Sequence, residues 1–402
     1  MKIPWMVLLF CSLTDLSFAY DIQSLSNFDQ SSIAVLVGEQ IKTAPFSGVG
    51  LRFEGALKTD RKLIRRFSGK IKCLKSKVNF GTLLFSGPIA ISTKTAIRFN
   101  NNSYPGRLLI YPGAEGCDVV NEVKVETYLE MLVHTEMNVS WPLEAIKAQV
   151  IVAKSYLAYK TLNSRKYKRH FDLRATTSDQ VYEGNQPKSK RVNLAVKSLE
   201  NQFLVSEQNG KLQVVQSFYH SSCGGRTEKP WNVWGFDSSN AFAGITGDIY
   251  CPYCKVSPKF TWNYPLKLSE TKDAIIPALK KDPFVKSFFR RIVKSKLIGI
   301  EPIAAPNSYR IQKVNLIFKD TKGEFRVAIR SVALRNWVGP DKIRSTRFQI
   351  KHEKDGQIIL VGTGSGHGVG LCQWGAKSMA EIGFKADQIL EYYYPESKII
   401  KL

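Results

Sequence analysis

The spacing of apolar positions changes more than once along the chain. From residue 31 to about 113 they fall in short runs rich in β-branched and aromatic side chains, at 33–37, 78–85 and 108–111. Turn signals such as Phe99-Asn100-Asn101-Asn102 and Tyr104-Pro105-Gly106 separate these runs. At Val125 the period becomes helical. Val125, Leu129, Leu132 and Val133 share one face, and Glu136 takes the next position on it. Asn138 and Ser140 interrupt this helix. Pro142 and Glu144 suit the opening turn of a second, whose stripe is Leu143, Ile146, Val150, Ala153 and Leu157. The pattern predicts a helical hairpin with Glu136 at its elbow. Mixed strand and loop are expected over 203–247, a basic, aromatic helical insertion over 255–300, strands at 311–318 and 358–361, and a last helix near Gln373. The expected fold class is α+β: a small β-rich domain over 20–107, then a mixed domain over 108–402 that holds the hairpin and a β-rich remainder.

The N-terminus reads as a secretory signal peptide over 1–19. Lys2 precedes an apolar run over 3–11, and Ser17-Phe18-Ala19 supplies the small residues of a cleavage site, so the mature chain would start near Tyr20. The run is too short to span a bilayer, which takes about 20 apolar residues. Cys11 is a poor lipoprotein site because bulky Phe10 precedes it. No later segment reads as a transmembrane helix, so the protein is expected to be exported, to the periplasm or cell envelope. The 402 residues, 44% hydrophobic, hold enough apolar material for two to three domains and exclude a disordered chain. Against 34 Asp+Glu stand 58 Lys+Arg, a formal charge of +24 that predicts a polyanionic partner. Export sets nucleic acid aside and leaves an anionic surface or an acidic glycan. Lys58, Arg61, Lys62, Arg65, Arg66, Lys70, Lys72, Lys75 and Lys77 form a basic run relieved only by Asp60, either a solvated face or a polymer-holding one.

Three groups of residues are candidates for chemistry. A carboxylate on an apolar stripe loses hydration, so the Glu136 pKa should rise toward that of a general acid working near neutral pH; the plainer alternative is a carboxylate that pairs with a base or caps the connector. Glycoside hydrolysis ordinarily needs two carboxylates, and Asp179 and Glu228 are the candidates for the second. Removing Cys11 from the seven cysteines leaves six, too few for a disulfide-built fold. A Cys73–Cys117 pair stays open. His220-x-x-Cys223 and Cys251-x-x-Cys254 each have metal-ligand spacing. Together they would form a closed, structural Cys₃His zinc site, against which stands a disulfide from Cys223 to Cys251 or Cys254. Lastly, Gly362, Gly364, Gly366, Gly368 and Gly370 surround His367 and lead into Gln373. Glycine at every second position lets another chain approach the backbone closely, although a tight turn with His367 merely packed would read the same way. The run is neither a dinucleotide fingerprint nor a P-loop, since Ala376 separates Gly375 from Lys377.

Taken together the segments resemble the SpoIID family (sporulation stage II protein D and its LytB-type relatives). The matching pieces include His134-Thr135-Glu136-Met137, Trp141-Pro142-Leu143-Glu144-Ala145-Ile146, Asp179-Gln180-Val181-Tyr182, Tyr219-His220-Ser221-Ser222-Cys223-Gly224-Gly225, Val233-Trp234-Gly235, Leu334-Arg335, Gly366-His367-Gly368-Val369-Gly370-Leu371-Cys372-Gln373-Trp374-Gly375 and Tyr392-Tyr393-Tyr394-Pro395. The resemblance implies a peptidoglycan lytic transglycosylase that cleaves MurNAc–GlcNAc linkages, in strands stripped of stem peptides, to 1,6-anhydroMurNAc products. Glu136 would be its catalytic acid and base. Lys154, Asp179, Gln180, Tyr182, His367 and Gln373 are the residues expected to meet substrate, with the alternative for Asp179, His367 and Gln373 that they only shape the cleft. No cofactor is required for that reaction. The implied partner is the glycan strand, whose lactyl carboxylates would use the basic charge. The chain has Lys154 where the family usually has arginine, and Ser178 and Asp179 where some relatives hold zinc. Some relatives are named as amidase enhancers, so the rival expectation is a non-catalytic peptidoglycan-binding protein that modulates an amidase.

Overall fold

The computed structural model describes residues 22–55, 61–187, 189–235, 242–282, 285, 288–303, 307–353 and 357–402. The expected signal peptide, Lys58 and Asp60 lie outside them. The first strands are β1 (Ser32–Ile41), β2 (Thr43–Glu54), β3 (Lys62–Leu74), β4 (Lys77–Phe80), β5 (Leu83–Ser86), β6 (Ile89–Ser92), β7 (Ile97–Phe99), β8 (Asn102–Tyr104), β9 (Arg107–Pro112) and β10 (Cys117–Lys124). With β11 (Leu173–Arg174) they form an 11-stranded sheet whose main path runs β11-β1-β10-β9-β6-β2-β3-β4-β5. Alternation along β2 buries Phe46 and Phe53, which meet Phe80 edge-on at 5.2 and 5.1 Å between centroids. Arg65, Arg66, Lys70 and Lys72 of the basic run are exposed along β3. A disulfide joins Cys73 on β3 to Cys117 on β10.

The helical hairpin forms as the periodicity indicates, from α1 (Val125–Glu136) and α2 (Leu143–Lys166). Between them, the Asn138 side-chain oxygen accepts from the Ser140 amide at 2.9 Å and from its hydroxyl at 2.8 Å. This local turn competes with further helix. Helix α2 is buried on most sides and runs through the core.

After α3 (Lys190–Ser198) come β12 (Gln202–Gln208), β13 (Lys211–Val214), β14 (Tyr219–His220) and α4 (Pro230–Trp234). A second lobe follows, built from β15 (Thr261–Leu266), α5 (Leu268–Leu279), α6 (Phe289–Lys294), β16 (Lys296–Ile303), β17 (Lys313–Asp320), β18 (Gly323–Arg330), α7 (Ser331–Val338), β19 (Phe348–His352) and β20 (Ile358–Thr363). The chain then returns to the first lobe through β21 (Leu371–Cys372), α8 (Gln373–Glu381), α9 (Ala386–Tyr393) and β22 (Lys398–Lys401). Among the described residues no helix is long and apolar enough to cross a membrane.

The α+β class holds, but the packing divides differently from the expected boundary at 107/108. Strand β9 starts at Arg107 and pairs with β6 on one side and β10 on the other, so backbone hydrogen bonds cross that boundary. One core extends from Leu25 to Tyr394. A separate core lies between Trp262 and Leu360. The stretch 255–300 is correspondingly not helical throughout. It opens with β15, where Trp262 and Leu266 point inward and Thr261, Asn263 and Pro265 outward, and β15 pairs antiparallel with β20.

Candidate active site

Glu136 ends α1 and faces a cleft of about 460 Å³ between the lobes. The first lobe contributes Glu136, Tyr156, Asp179, Val181, Phe218, Tyr219, His220, Trp234, Gly366 and His367, and α7 of the second contributes Val332, Arg335 and Asn336. Burial raises the Glu136 pKa above its ordinary 4.5. The negative end of the α1 dipole acts in the same direction. A hydrogen bond from the Val181 amide to Oε1, at 2.9 Å, and the nearby Tyr219 phenol offset part of this rise. The Tyr219 phenol is buried against the Glu136 carboxyl, and that burial raises its own pKa well above 10. The Gln373 side-chain amide donates to the Glu136 carbonyl at 3.0 Å and to Gln149 Oε1 at 3.3 Å, pinning the helix end to α8.

Neither proposed second carboxylate is available for chemistry. Asp179 lines the cleft, but its Oδ1 takes the Tyr156 hydroxyl and the Lys160 ammonium, each at 2.8 Å, and its Oδ2 takes the Arg174 amide at 2.8 Å. Glu228 is buried away from the cleft, where it accepts from Asn232 at 2.7 Å and Ser308 at 2.6 Å.

The structure gives several expected substrate residues other work. Lys154 is fully buried, with Nζ 2.7 Å from Asp29 and 2.7 Å from the Leu199 carbonyl. It ties the N-terminal segment to α2 and does not line the cleft. Gln180 accepts from the Tyr128 hydroxyl at 2.9 Å and donates to the Ala153 carbonyl at 3.2 Å. Tyr182 donates to Asn121 at 2.9 Å and packs on Tyr128. Both are buried, and they anchor the loop that aims the Val181 amide at Glu136. Gln373 is likewise a buried positioning residue.

His367 does line the cleft. Its Nδ1 accepts from the Val369 amide at 3.1 Å, while His220 Nδ1 donates to the Val369 carbonyl at 3.1 Å. Burial, with Arg310 adding, pushes His220 down to about 3; burial and His220 hold His367 well below 6.5. Both imidazoles are therefore neutral. Gly366 has φ +104°, and a Cβ there would come 2.9 Å from His220 Cβ. Gly364 and Gly366 thus reflect close approach of the 220–224 segment, as the pattern suggests, whereas Gly362 and Gly368 make room for the Trp262 ring and the Arg310 guanidinium.

The cysteine cluster differs from the proposed ligand set. Cys223, Cys251, Cys254 and Cys372 bring their sulfurs within 4.8 Å of one another, and His220 stays outside with its ring on Val369. Parallel pairing of β14 with β21 places Cys372 beside His220 in register, a long-range contact that spacing does not reveal.

Several cleft residues were not given roles from the sequence. Phe218 stacks on Trp234 at 4.3 Å, and Trp234 lies 5.3 Å from the His367 ring, giving an aromatic wall. Arg335 is held by a hydrogen bond from Nε to the Arg344 carbonyl at 3.1 Å. Tyr219, Trp234 and Arg335 sit in the motif blocks quoted above, which was the one available signal; Phe218 and Asn336 carried none.

The sequence profile of the family described as Stage II sporulation protein (SpoIID) matches residues 113–205, a span that contains Glu136 and both hairpin helices. An uncharacterized protein of Brachyspira hyodysenteriae is 30% identical over 306 residues, covering 76% of this chain and 74% of that protein. The protein named amidase enhancer of Bacillus subtilis is 27% identical over 295 residues, 66% of this chain but only 39% of that longer protein. Stage II sporulation protein D of Bacillus subtilis is 24% identical over 338 residues, 79% of this chain and 87% of that protein. On this profile match, and on relatives aligned over most of its length, the chain belongs to the SpoIID family.

Proposed function

We propose that the protein is a peptidoglycan lytic transglycosylase acting on MurNAc–GlcNAc linkages in peptide-stripped strands, with Glu136 as general acid and then base. One observation carries this reading: Glu136 is the cleft carboxylate with a raised pKa and room to exchange a proton, while Asp179 is fully engaged by three donors. Protonated Glu136 gives its proton to the glycosidic oxygen as the C1–O bond breaks. The sugar's own 6-hydroxyl then bonds to C1, and its proton passes to the Glu136 carboxylate, restoring the acid. No water enters, so no second carboxylate is needed to activate one. The Val181 amide holds Oε1 in place through both steps. The Phe218–Trp234 wall suits a sugar face, and the Arg335 guanidinium suits a lactyl carboxylate. Turnover of stripped strands by wild type and by Glu136→Gln tests the assignment. A loss of at least about 10²-fold is expected, the low end for general acid–base catalysis; near-wild-type turnover would sink it. The relative named as an amidase enhancer favours a second reading, a strand-binding modulator of an amidase, in which Glu136→Gln leaves function intact.

A further inference from the structure

Cys223, Cys251, Cys254 and Cys372 come from three separate segments and are all fully buried. Unlike Cys73 and Cys117, they are not paired as a disulfide. Each sulfur lies within 4.8 Å of all three others, and Cys223 and Cys254 are 3.5 Å apart. Two separate disulfides require closeness only within each pair. Mutual convergence of four sulfurs is instead the arrangement of a tetrahedral thiolate centre, in which Zn–S bonds of about 2.3 Å set neighbouring sulfurs about 3.8 Å apart. The backbone is shaped for it: a 3₁₀ turn over Pro252–Val256 brings the Cys251-x-x-Cys254 sulfurs together.

The surroundings match sulfurs that act as acceptors. The Cys223 amide donates to Cys372 Sγ at 3.3 Å, and the Tyr393 hydroxyl lies 3.1 Å from Cys251 Sγ. Such donors orient thiolates and tune them when a metal is bound. Buried Arg310 donates to the Cys223 carbonyl at 2.9 Å, placing a fixed cation beside a group that would carry net negative charge. Gly375 on α8 leaves room for the Tyr393 hydroxyl that meets Cys251: a Cβ there would collide with that hydroxyl and fall 3.0 Å from Cys251 Sγ.

From this geometry we infer that the four cysteines form a closed, structural Zn²⁺ site that fastens the catalytic wall of the cleft. Soft thiolates select zinc over hard cations, and four protein ligands leave no open position for catalysis. Cys223 follows the Tyr219-His220 strand of the cleft. Cys372 directly precedes Gln373, whose amide holds the Glu136 carbonyl. The metal therefore couples both segments to the region behind Glu136. Its binding does not depend on which reaction the cleft performs.

The test is metal analysis of full-length protein purified without reductant, together with thiol alkylation and peptide mapping after chelation and unfolding. About one zinc per chain is expected, with these four cysteines alkylated and only Cys73–Cys117 found as a disulfide. Cys372→Ser should lose most of the zinc, whereas His220→Gln should keep it. Absence of stoichiometric zinc, stoichiometric iron in its place, or any disulfide among the four would overturn the inference. If Cys372→Ser does not fold, the wild-type metal content and thiol map decide alone.

Discussion

Replacing Asp179 with asparagine separates a positioning carboxylate from a catalytic one. The native carboxylate accepts from Tyr156, Lys160 and the Arg174 amide. An asparagine offers one oxygen and one amide. In one orientation its nitrogen faces the Arg174 N–H; in the other it faces the Lys160 ammonium. At least one bond to a charged acceptor is lost either way, about 1.5–3 kcal/mol. The Lys160 side chain is 22% exposed, so its ion-pair share is screened and adds less. The expected destabilisation is about 2–4 kcal/mol, read from urea unfolding with an unchanged slope. Turnover should fall through loosening of the 177–181 loop and its Val181 amide, but less than for Glu136→Gln, and the pH limb set by Glu136 should stay in place. A Glu136-sized loss of turnover with stability intact would refute this reasoning and make Asp179 a second catalytic carboxylate.

Glu136→Gln should also change stability with pH. Because the folded pKa lies above 4.5, the native state holds its proton longer than the unfolded chain, and wild-type stability falls as pH rises from 4.5 to the folded value. Glutamine lacks that titration, so the variant should gain on wild type through this window and hold its advantage above it; denaturant unfolding across the range checks the sign. Lys154→Met leaves the partly buried Asp29, whose side chain is 10% exposed, without its cation and should cost up to about 3 kcal/mol, measured the same way, while any folded fraction keeps its affinity for strands. Strand binding should weaken steeply with added salt if the exposed β3 cations hold the polymer; a flat response would make them a solvated face.

The sequence made the hairpin, the placement of Glu136 and the close approach at the glycine run legible because each rests on local periodicity or on backbone freedom. What it hid depends on tertiary pairing. Cys372 joins the cysteine cluster through the β14–β21 pairing, and no spacing rule links it to Cys223. Gln180 and Tyr182 sit in a motif block, and Lys154 stands where the family usually has arginine, yet contacts from Tyr128, Asn121 and Asp29 hold them away from the cleft, so they support the site from behind. The 107/108 boundary failed because alternating apolar runs continue through β9 and β10 into the same sheet. Helix α3 carries a local signal as well: Ser189 caps it by accepting from the Val192 amide at 3.4 Å, and Val192, Ala195 and Val196 are buried at helical spacing.

The most direct test of the central claim is digestion of peptide-stripped strands in ¹⁸O-labelled water, with the new chain ends weighed by mass spectrometry. Internal attack by the 6-hydroxyl should give anhydro ends one water lighter than reducing ends and free of label, from wild type and not from Glu136→Gln. Labelled reducing ends would mean hydrolysis, with a water-activating group in the cleft, and would contradict the account.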